Sequence, residues 1–320
     1  MKKIIFIICV ITMVCTEISY CKENTYLTIG TGDITGLYYL TGGAISRIVN
    51  SRSSETGLRL NVKSTSGSVY NIDNVVSETI ELGIVQSDRL YQAVNGTQKW
   101  QHKANKQLRA VFGIHTEAVT LIASERSGIT CISHLKDKRV NLGHPDSGQR
   151  QNAIHALESQ GFDFNKDLNA TEFEDYKVPE LIHLNQLDAA FITAGHPTDF
   201  FNAICSGNSK VRFIPMIKLD TILKKYPYYN ETQINVSLYP GQSNQTDVKT
   251  FGVKSILITS EKIDERDIYL ITKAIFSKIT VFKKYHPAYT SLSPHYMVED
   301  LNAPIHPGAL KYFKEAKLIK

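Results

Sequence analysis

Polar, glycine-rich segments follow several short apolar runs, and they hold the residue types that could bind a solute. They are residues 30–36, 64–68, 86–88, 144–148 and 194–197. A glycine turn that opens a helix offers free N–H groups and the positive end of the helix dipole, which together favour an anion. Gln86 both donates and accepts hydrogen bonds, which suits recognition of an amino acid. These segments indicate non-covalent binding of a small polar molecule.

Three catalytic or cofactor patterns are incomplete. The run Gly30–Gly36 is one residue too long for a dinucleotide fingerprint, and no acidic residue follows at the ribose position. His144, Asp146 and Ser147 are the types of a hydrolase triad, but they are chain neighbours and no Gly-x-Ser-x-Gly elbow exists. The histidines lack a paired metal-ligand spacing. We therefore expect no catalytic residue, no metal and no cofactor, with an enzyme acting on small carboxylates as an alternative.

The elements that must position these segments alternate between strands and helices. Their apolar periodicity predicts strands at residues 26–29, 58–63, 82–85, 108–114, 119–123, 140–142, 189–193, 213–216 and 253–258. It predicts helices at residues 37–49, from 69 to 76, 148–160 and 265–284. This order is typical of α/β units with a parallel sheet, in which ligands bind at the carboxyl ends of the strands.

The composition is that of a folded protein of about two domains. The chain has 320 residues, 42% of them hydrophobic, and a formal net charge of +5. A disordered chain would have fewer apolar residues and more net charge, and so this class is excluded. The charge is mild and is not clustered, so nothing indicates a nucleic-acid partner.

The first 21 residues have the organisation of an export signal. Lys2 and Lys3 precede the apolar run Ile4–Val14, which is too short to span a bilayer. We expect residues 1–21 to be a signal peptide cleaved near Cys21 and the mature protein to be periplasmic. A lipid anchor on Cys21 and a retained membrane anchor are the alternatives. Cys131 and Cys205 remain in the mature chain, either as a disulfide or as two thiols.

Motifs along the mature chain resemble those of the TAXI family, the extracytoplasmic proteins associated with TRAP transporters. The resemblance covers essentially the whole mature chain in order. The matching stretches are Gly30-Thr31-Gly32 with Gly36 and Tyr38-Tyr39, Ser64-Thr65-Ser66-Gly67-Ser68-Val69 with Asn71, Gln86-Ser87-Asp88, Leu135-Lys136-Asp137-Lys138-Arg139-Val140 with Gly143, Ser147-Gly148, Asp188-Ala189-Ala190-Phe191 with Gly195 and Pro197, Tyr226-Pro227-Tyr228-Tyr229, and His306-Pro307-Gly308-Ala309.

The resemblance implies a type II periplasmic-binding-protein fold, an α/β fold whose two lobes are joined by hinge strands with a ligand cleft between them. Residues 22–118 and 251–320 would form lobe 1, and residues 119–250 would form lobe 2. The implied function is capture of a small organic carboxylate or amino acid, glutamate-like by family precedent, and its delivery to a membrane TRAP permease. The alternative to this receptor and to the enzyme is a surface antigen or adhesion protein.

The family positions map onto residues of both lobes. The ligand-binding residues so implied are Thr31, Gly32, Tyr38, Ser64, Gly67, Ser68, Gln86 and Gly195, and we expect lobe 2 to close through Ser147 and Gly148. Backbone N–H groups near Gly32 and Gly67, with the hydroxyls of Ser64, Ser68 and Tyr38, would hold a carboxylate. Asp146 and the segment Ile114–Glu117 depart from the family pattern, which bears on ligand identity.

Overall fold

A computed structural model of the protein describes residues 24–320. The predicted signal peptide, with Cys21, lies outside the described residues. Within residues 24–320, the strands are β1 (Thr25–Gly30), β2 (Leu58–Lys63), β3 (Leu82–Gln86), β4 (Leu108–Ser124), β5 (Arg139–Asn141), β6 (Asn169–Thr171), β7 (Ala189–Ala194), β8 (Val211–Ile214), β9 (Asn230–Ile234) and β10 (Val248–Ser260).

Helices connect most of these strands. They are α1 (Leu37–Asn50), α2 (Ser53–Thr56), α3 (Ser68–Val76), α4 (Ser87–Asn95), α5 (Gln149–Ser159), α6 (Val178–His183), α7 (Asp199–Cys205), α8 (Leu219–Lys225), α9 (Glu265–Ser277), α10 (Ile279–Phe282) and α11 (Pro307–Glu315). No helix within residues 24–320 is both long enough and apolar enough to cross a membrane.

The strands form one mixed sheet in the order β2-β1-β3-β10-β4-β7-β5-β6, with β8 paired to β4 and β9 paired to β10. The outer strands are parallel to one another: β1 pairs with β2 and β3, and β5 pairs with β6 and β7. The long strands β4 and β10 are antiparallel to each other and to their neighbours. The prediction of a parallel sheet is therefore right for the two ends and wrong for the centre.

The centre also differs from the predicted elements. The predicted strands at residues 108–114 and 119–123 are one strand of 17 residues, because the polar segment His115–Glu117 between them stays extended. The predicted helix 265–284 is interrupted at Lys278, which leaves helical geometry with φ −116° and ψ 23°, and it continues as the short helix α10. Strand β9 is absent from the predicted strands.

Hydrophobic cores lie on both sides of the two long strands. One group packs α1, α9 and α11 on the sheet, with Ile45, Ile84, Ile271 and Phe313 among its buried members. A second group under α3 and α4 covers the other face. Two further groups, around residues 119–253, enclose β5, β7 and β8. The long strands thus run from one pair of cores into the other.

Cys131 and Cys205 are free thiols, so the disulfide alternative is not present. Cys205 is buried among apolar side chains of the second pair of cores. That burial raises the pKa of its thiol to about 12.

Candidate ligand site

A cleft of about 410 Å³ lies between the two pairs of cores. Its size is in the range of small-molecule sites. It is lined by Gly32, Asp33, Thr35, Gly36, Leu37, Tyr38, Ser64, Thr65, Ser66, Gly67, Ser68, Gln86, Glu117, His144, Ser147, Gly148, Gln149, Glu174, Asp175, Tyr176, Ile192, Thr193, Ala194, Thr198 and Phe200. The segments after β1, β2, β3, β5 and β7 therefore converge, as the rule for open α/β sheets requires.

Most of the predicted ligand-binding residues line this cleft. They are Gly32, Tyr38, Ser64, Gly67, Ser68, Gln86, Ser147 and Gly148. Thr31 and Gly195 do not belong to the lining.

Thr31 and Gly195 support the cleft from behind. The Thr31 hydroxyl is fully buried and donates to the Lys63 carbonyl at 2.7 Å, which ties the end of β1 to the end of β2. A Cβ atom at Gly195 would lie 2.5 Å from the ring of His115 and 2.8 Å from the side chain of Leu37. Glycine is therefore needed where the end of β7 packs on α1 and β4.

The hydroxyl groups differ from their predicted roles. Ser64 donates to the Gly32 carbonyl at 2.8 Å, and Tyr38 donates to Glu117 Oε2 at 2.9 Å, so both protons are already used. The Ser68 oxygen accepts the backbone N–H of Gln86 at 3.0 Å, and its hydroxyl also interacts with that of Tyr38. All three hydroxyls expected to bind a carboxylate therefore have partners within the protein.

Helix N-termini supply the other donors. The helices α1, α3 and α5 begin at the cleft, after Gly36, Gly67 and Gly148, and these three N-cap residues have no capping side chain, although Ser147 Oγ accepts the Arg150 N–H of α5 at 3.4 Å. The first N–H groups of a helix have no partner inside that helix. The lining therefore presents backbone N–H groups that suit one anionic group of a solute.

The two walls of the cleft touch at Gly148. A Cβ atom at this residue would lie 2.1 Å from Gln86 Oε1 and 3.0 Å from Ser68 Oγ, on the opposite wall. A Cβ at Gly67 would lie 3.8 Å from the Cα of Ser147. The walls are therefore in close contact through glycine at this edge.

Glu117 was not predicted as a site residue, yet it lies in the floor of the cleft on β4. Its side chain is 2% exposed, and His115 Nε2 lies 3.5 Å from its Oε1 atom. Ser255 Oγ contacts the other ring nitrogen of His115 at 2.9 Å. Burial raises the pKa of Glu117 above its ordinary value.

Asp175 also lines the cleft and was not predicted. Gln149 Nε2 donates to its Oδ1 atom at 2.6 Å. Burial, opposed by that hydrogen bond and reinforced by the negative charges of Asp33 and Glu174, raises the pKa of Asp175 to about 7. The wall of the cleft that contains Asp175, Gln149 and Glu174, here called the far wall, is therefore acidic.

Comparison with known proteins supports the assignment of the fold. The model of the NMT1-like family matches residues 29–316. The chain belongs to the NMT1-like family. Among solved structures of similar fold is a protein from Bordetella bronchiseptica RB50, with a TM-score of 0.56 and 12% identity over 92% of this chain and 99% of that one. A binding protein component of an ABC phosphonate transporter from Pseudomonas aeruginosa has a TM-score of 0.52 and 10% identity over 83% of this chain and 79% of that one. The alkanesulfonate-binding protein SsuA from Xanthomonas axonopodis pv. citri bound to MOPS has a TM-score of 0.50 and 12% identity over 93% of this chain and 95% of that one. The predicted periplasmic-binding-protein fold is thus confirmed.

In this NMT1-like protein, the residues of the hydrolase pattern form a turn. The Ser147 hydroxyl donates to the carbonyl oxygen of His144 at 2.6 Å, and His144 Nδ1 accepts the backbone N–H of Asp146 at 3.2 Å. A nucleophilic serine would instead donate to the ring of its histidine. These three residues therefore shape the entrance to α5.

The acidic residues escaped prediction because their position is decided by the fold of the NMT1-like chain. Glu117 lies in an apolar strand, where the polar run His115-Thr116-Glu117 is the one signal that the strand crosses a polar site. Asp175 follows the short strand β6, at the end of a chain segment that also contains Asp163, Asp167, Glu172 and Glu174. Nothing in its local sequence separates it from them.

Proposed function

We propose that this protein is an extracytoplasmic solute-binding receptor that captures a small amino acid or organic carboxylate for a membrane permease. The observation that carries the proposal is the cleft between two walls that approach each other at Gly148 and present uncapped helix N-termini and amide groups. Such a cleft can bind a small solute and release it when the walls separate.

We further propose that the chain divides into two lobes at the crossing strands. Residues 22–118 with 251–320 would form lobe 1, and residues 119–250 would form lobe 2. The positions of the hydrophobic cores support this division, because each pair of cores lies on one side of the boundary on β4 and β10, except that Ala118, Phe251 and Val253 at the boundary itself pack with the cores of lobe 2. Bending of these two strands would then open and close the cleft.

The resemblance to the TAXI family supports a TRAP-type permease as the partner and a glutamate-like amino acid as the solute. The sulfonate- and phosphonate-binding proteins of similar fold support an ABC-type permease as the second candidate. Uptake into vesicles that contain the cognate permease separates the two. A TRAP system would transport on an imposed ion gradient without ATP, whereas an ABC system would need ATP.

The export signal supports a periplasmic location. We propose cleavage after or near Cys21, with lipidation of Cys21 as the alternative. Mass spectrometry of the mature protein isolated from the membrane and soluble fractions distinguishes them, because an acylated N-terminal cysteine adds the mass of its lipid.

A thermal-shift screen of residues 22–320 against amino acids, dicarboxylates, keto acids, sulfonates and sugars tests the receptor function. A solute at a hundred times its dissociation constant adds about 2.7 kcal/mol to stability, which raises the melting temperature by several degrees. Native mass spectrometry detects a solute that co-purifies. If no compound shifts the transition and no solute co-purifies, the receptor proposal fails. The alternative of a surface antigen or adhesion protein is then favoured.

A further inference from the structure

Carboxyl groups outnumber basic groups in the cleft. Among the described residues that line it, the carboxyl groups belong to Asp33, Glu117, Glu174 and Asp175, neither lysine nor arginine is present, and the one basic side chain, His144, lies 3.7 Å from Glu174. Carboxylates that are removed from water need a compensating cation or a proton. A bound dicarboxylate would add two negative charges to this set.

Glu117 is the most buried acid of the cleft, and its neighbours fix the position of its side chain. Glu117 is 2% exposed and receives the Tyr38 hydroxyl on Oε2, while its other oxygen lies 3.5 Å from His115 Nε2. Because burial and the absence of a lysine or arginine partner in the described lining both disfavour its charged form, a ligand cation would stabilise that form.

An independent observation points to a hydrogen-bond donor on the ligand. The side-chain oxygen of Gln86 is buried in the cleft wall, in a residue that is 4% exposed, and it has no hydrogen-bond partner in the described part of the chain. A buried acceptor without a donor destabilises the structure that holds it. An ammonium group carries three N–H donors and no acceptor, so it would satisfy both Gln86 and a carboxylate.

One anionic group is still accommodated. The N-termini of α3 and α5 face the same cleft, and they offer to one carboxylate the first N–H groups of α3 and the N–H groups of α5 other than that of Arg150, which Ser147 Oγ accepts. The donors suit the α-carboxylate of an amino acid, while the acids of the lining suit its amines.

We propose that the solute is an amino acid of net positive charge, such as lysine, ornithine or arginine, and that Glu117, Asp175 and Gln86 hold its amines. This inference rests on the proposed receptor function and narrows its substrate class. It departs from the glutamate-like solute that the family resemblance favours, because a second carboxylate would face Asp33, Glu174 and Asp175 without a cation.

Isothermal titration calorimetry of residues 22–320 with L-lysine, L-arginine, L-ornithine, L-leucine, L-glutamate and succinate tests the proposal. We expect at least one basic amino acid to bind ten or more times as tightly as leucine, and glutamate and succinate to give no measurable heat. Tighter binding of glutamate, succinate or leucine would overturn the charge assignment and leave the receptor function intact. If none binds and native mass spectrometry finds no co-purified solute, the receptor function itself fails.

Two variants locate the amine sites. Asp175→Asn and Glu117→Gln should each weaken binding of the basic amino acid at least tenfold, because each replaces a carboxylate by a neutral amide of the same shape. The matched control is Glu180→Gln, which removes the same charge from an exposed position of α6 outside the cleft and should leave the affinity unchanged. Circular dichroism checks that each variant is folded. Affinities within twofold of the parent for both cleft variants would overturn the assignment.

Discussion

Gln86 and Ser68 form the best-defined recognition pair at the scale of single residues. Gln86 ends β3, and its backbone N–H donates to the Ser68 hydroxyl at the start of α3. That bond holds the two side chains next to each other in the cleft wall. The Gln86 side-chain oxygen, which has no partner in the described part of the chain, and the Ser68 hydroxyl can then meet a solute together.

The double variant Ser68→Ala with Gln86→Ala should weaken solute binding by roughly 2–5 kcal/mol, at about 1–3 kcal/mol for each lost buried hydrogen bond. Calorimetry with the solute identified in the screen measures this loss. The control is Ser206→Ala with Gln101→Ala, the same changes at exposed positions outside the cleft. An unchanged dissociation constant in the cleft variant would rule out this pair as ligand contacts.

Asp175 predicts how stability depends on pH. Its folded-state pKa of about 7 lies above its ordinary value of 3.8. The folded state therefore holds more protons than the unfolded state between these values, so stability falls as the pH rises from about 4 to about 7. Gln149, Asp33 and Glu174 face this carboxyl group, and His144 Nε2 lies 3.7 Å from Glu174.

Asp175→Asn should remove this part of the pH dependence. Without added solute, the variant should be more stable than the parent by about 1–3 kcal/mol at pH 8 and nearly equal at pH 4. Urea unfolding across pH 4–8 measures the difference, with Glu180→Gln as the control. Parallel stability curves for parent and Asp175→Asn would show that this carboxyl group ionises normally.

Helix α5 is the element through which the far wall contacts the opposite wall, which holds Gln86 and Ser68. Its first residues follow Gly148, and Gln149 reaches both Asp175 and the backbone N–H of Thr193. The helix therefore carries the contact with Gln86 and also positions one of the acids. Its N-terminus is effective as a contact surface because residue 148 has no side chain.

Gly148→Ala should weaken solute binding by about 1–3 kcal/mol, because the added methyl group meets Gln86 and Ser68 when the walls approach. The backbone of Gly148, with φ −70° and ψ −35°, accepts alanine, so the variant should fold with its walls separated and lose only the stability that the wall contact contributes. Calorimetry and thermal unfolding measure the two effects. Gly43→Ala in α1 is the control, since its Cβ would meet nothing within 4 Å. Parent-like affinity in Gly148→Ala would show that closure does not need this contact.

At the scale of the whole molecule, a buried polar cluster joins the two proposed lobes beside the cleft. Asp88 on α4 is fully buried and pairs with Arg89 at 3.0 Å. Asn152 on α5 donates to the same carboxylate oxygen at 2.7 Å. A hydrogen bond to a buried charge contributes about 1.5–3 kcal/mol, so this contact favours the approach of the walls.

Asn152→Ala should therefore shift the molecule toward an open form and weaken solute binding by about 1–3 kcal/mol. Small-angle X-ray scattering should show a larger radius of gyration than for the parent, and saturating solute should reduce the difference. Asn95→Ala is the control, because Asn95 is exposed on α4 and bonds only locally, to the Tyr91 carbonyl. An unchanged radius and affinity in Asn152→Ala would remove this contact from the closing mechanism.

Local sequence signals were sufficient to predict the elements at both ends of the sheet. The strand at residues 58–63 and the helices that open near residues 37, 69 and 149 lie where apolar periodicity and glycine turns predicted them. These signals are local, since a helix or strand needs only its own spacing of apolar residues and a suitable first residue. Most of the binding segments followed from the same signals, because they are the ends of those strands.

The continuity of the central strands and the charge of the cleft depend on long-range contacts in the tertiary structure. Strands β4 and β10 are each continuous through a polar stretch because they pair with one another, and this pairing joins residues more than a hundred positions apart. The same pairing places Glu117 in the cleft floor. Asp175, in the segment that follows β6, lines the same cleft because the two walls approach each other. Charged residues that lie far apart in the chain form one site only when long-range strand pairing brings them together. A local sequence pattern contains no information on such contacts.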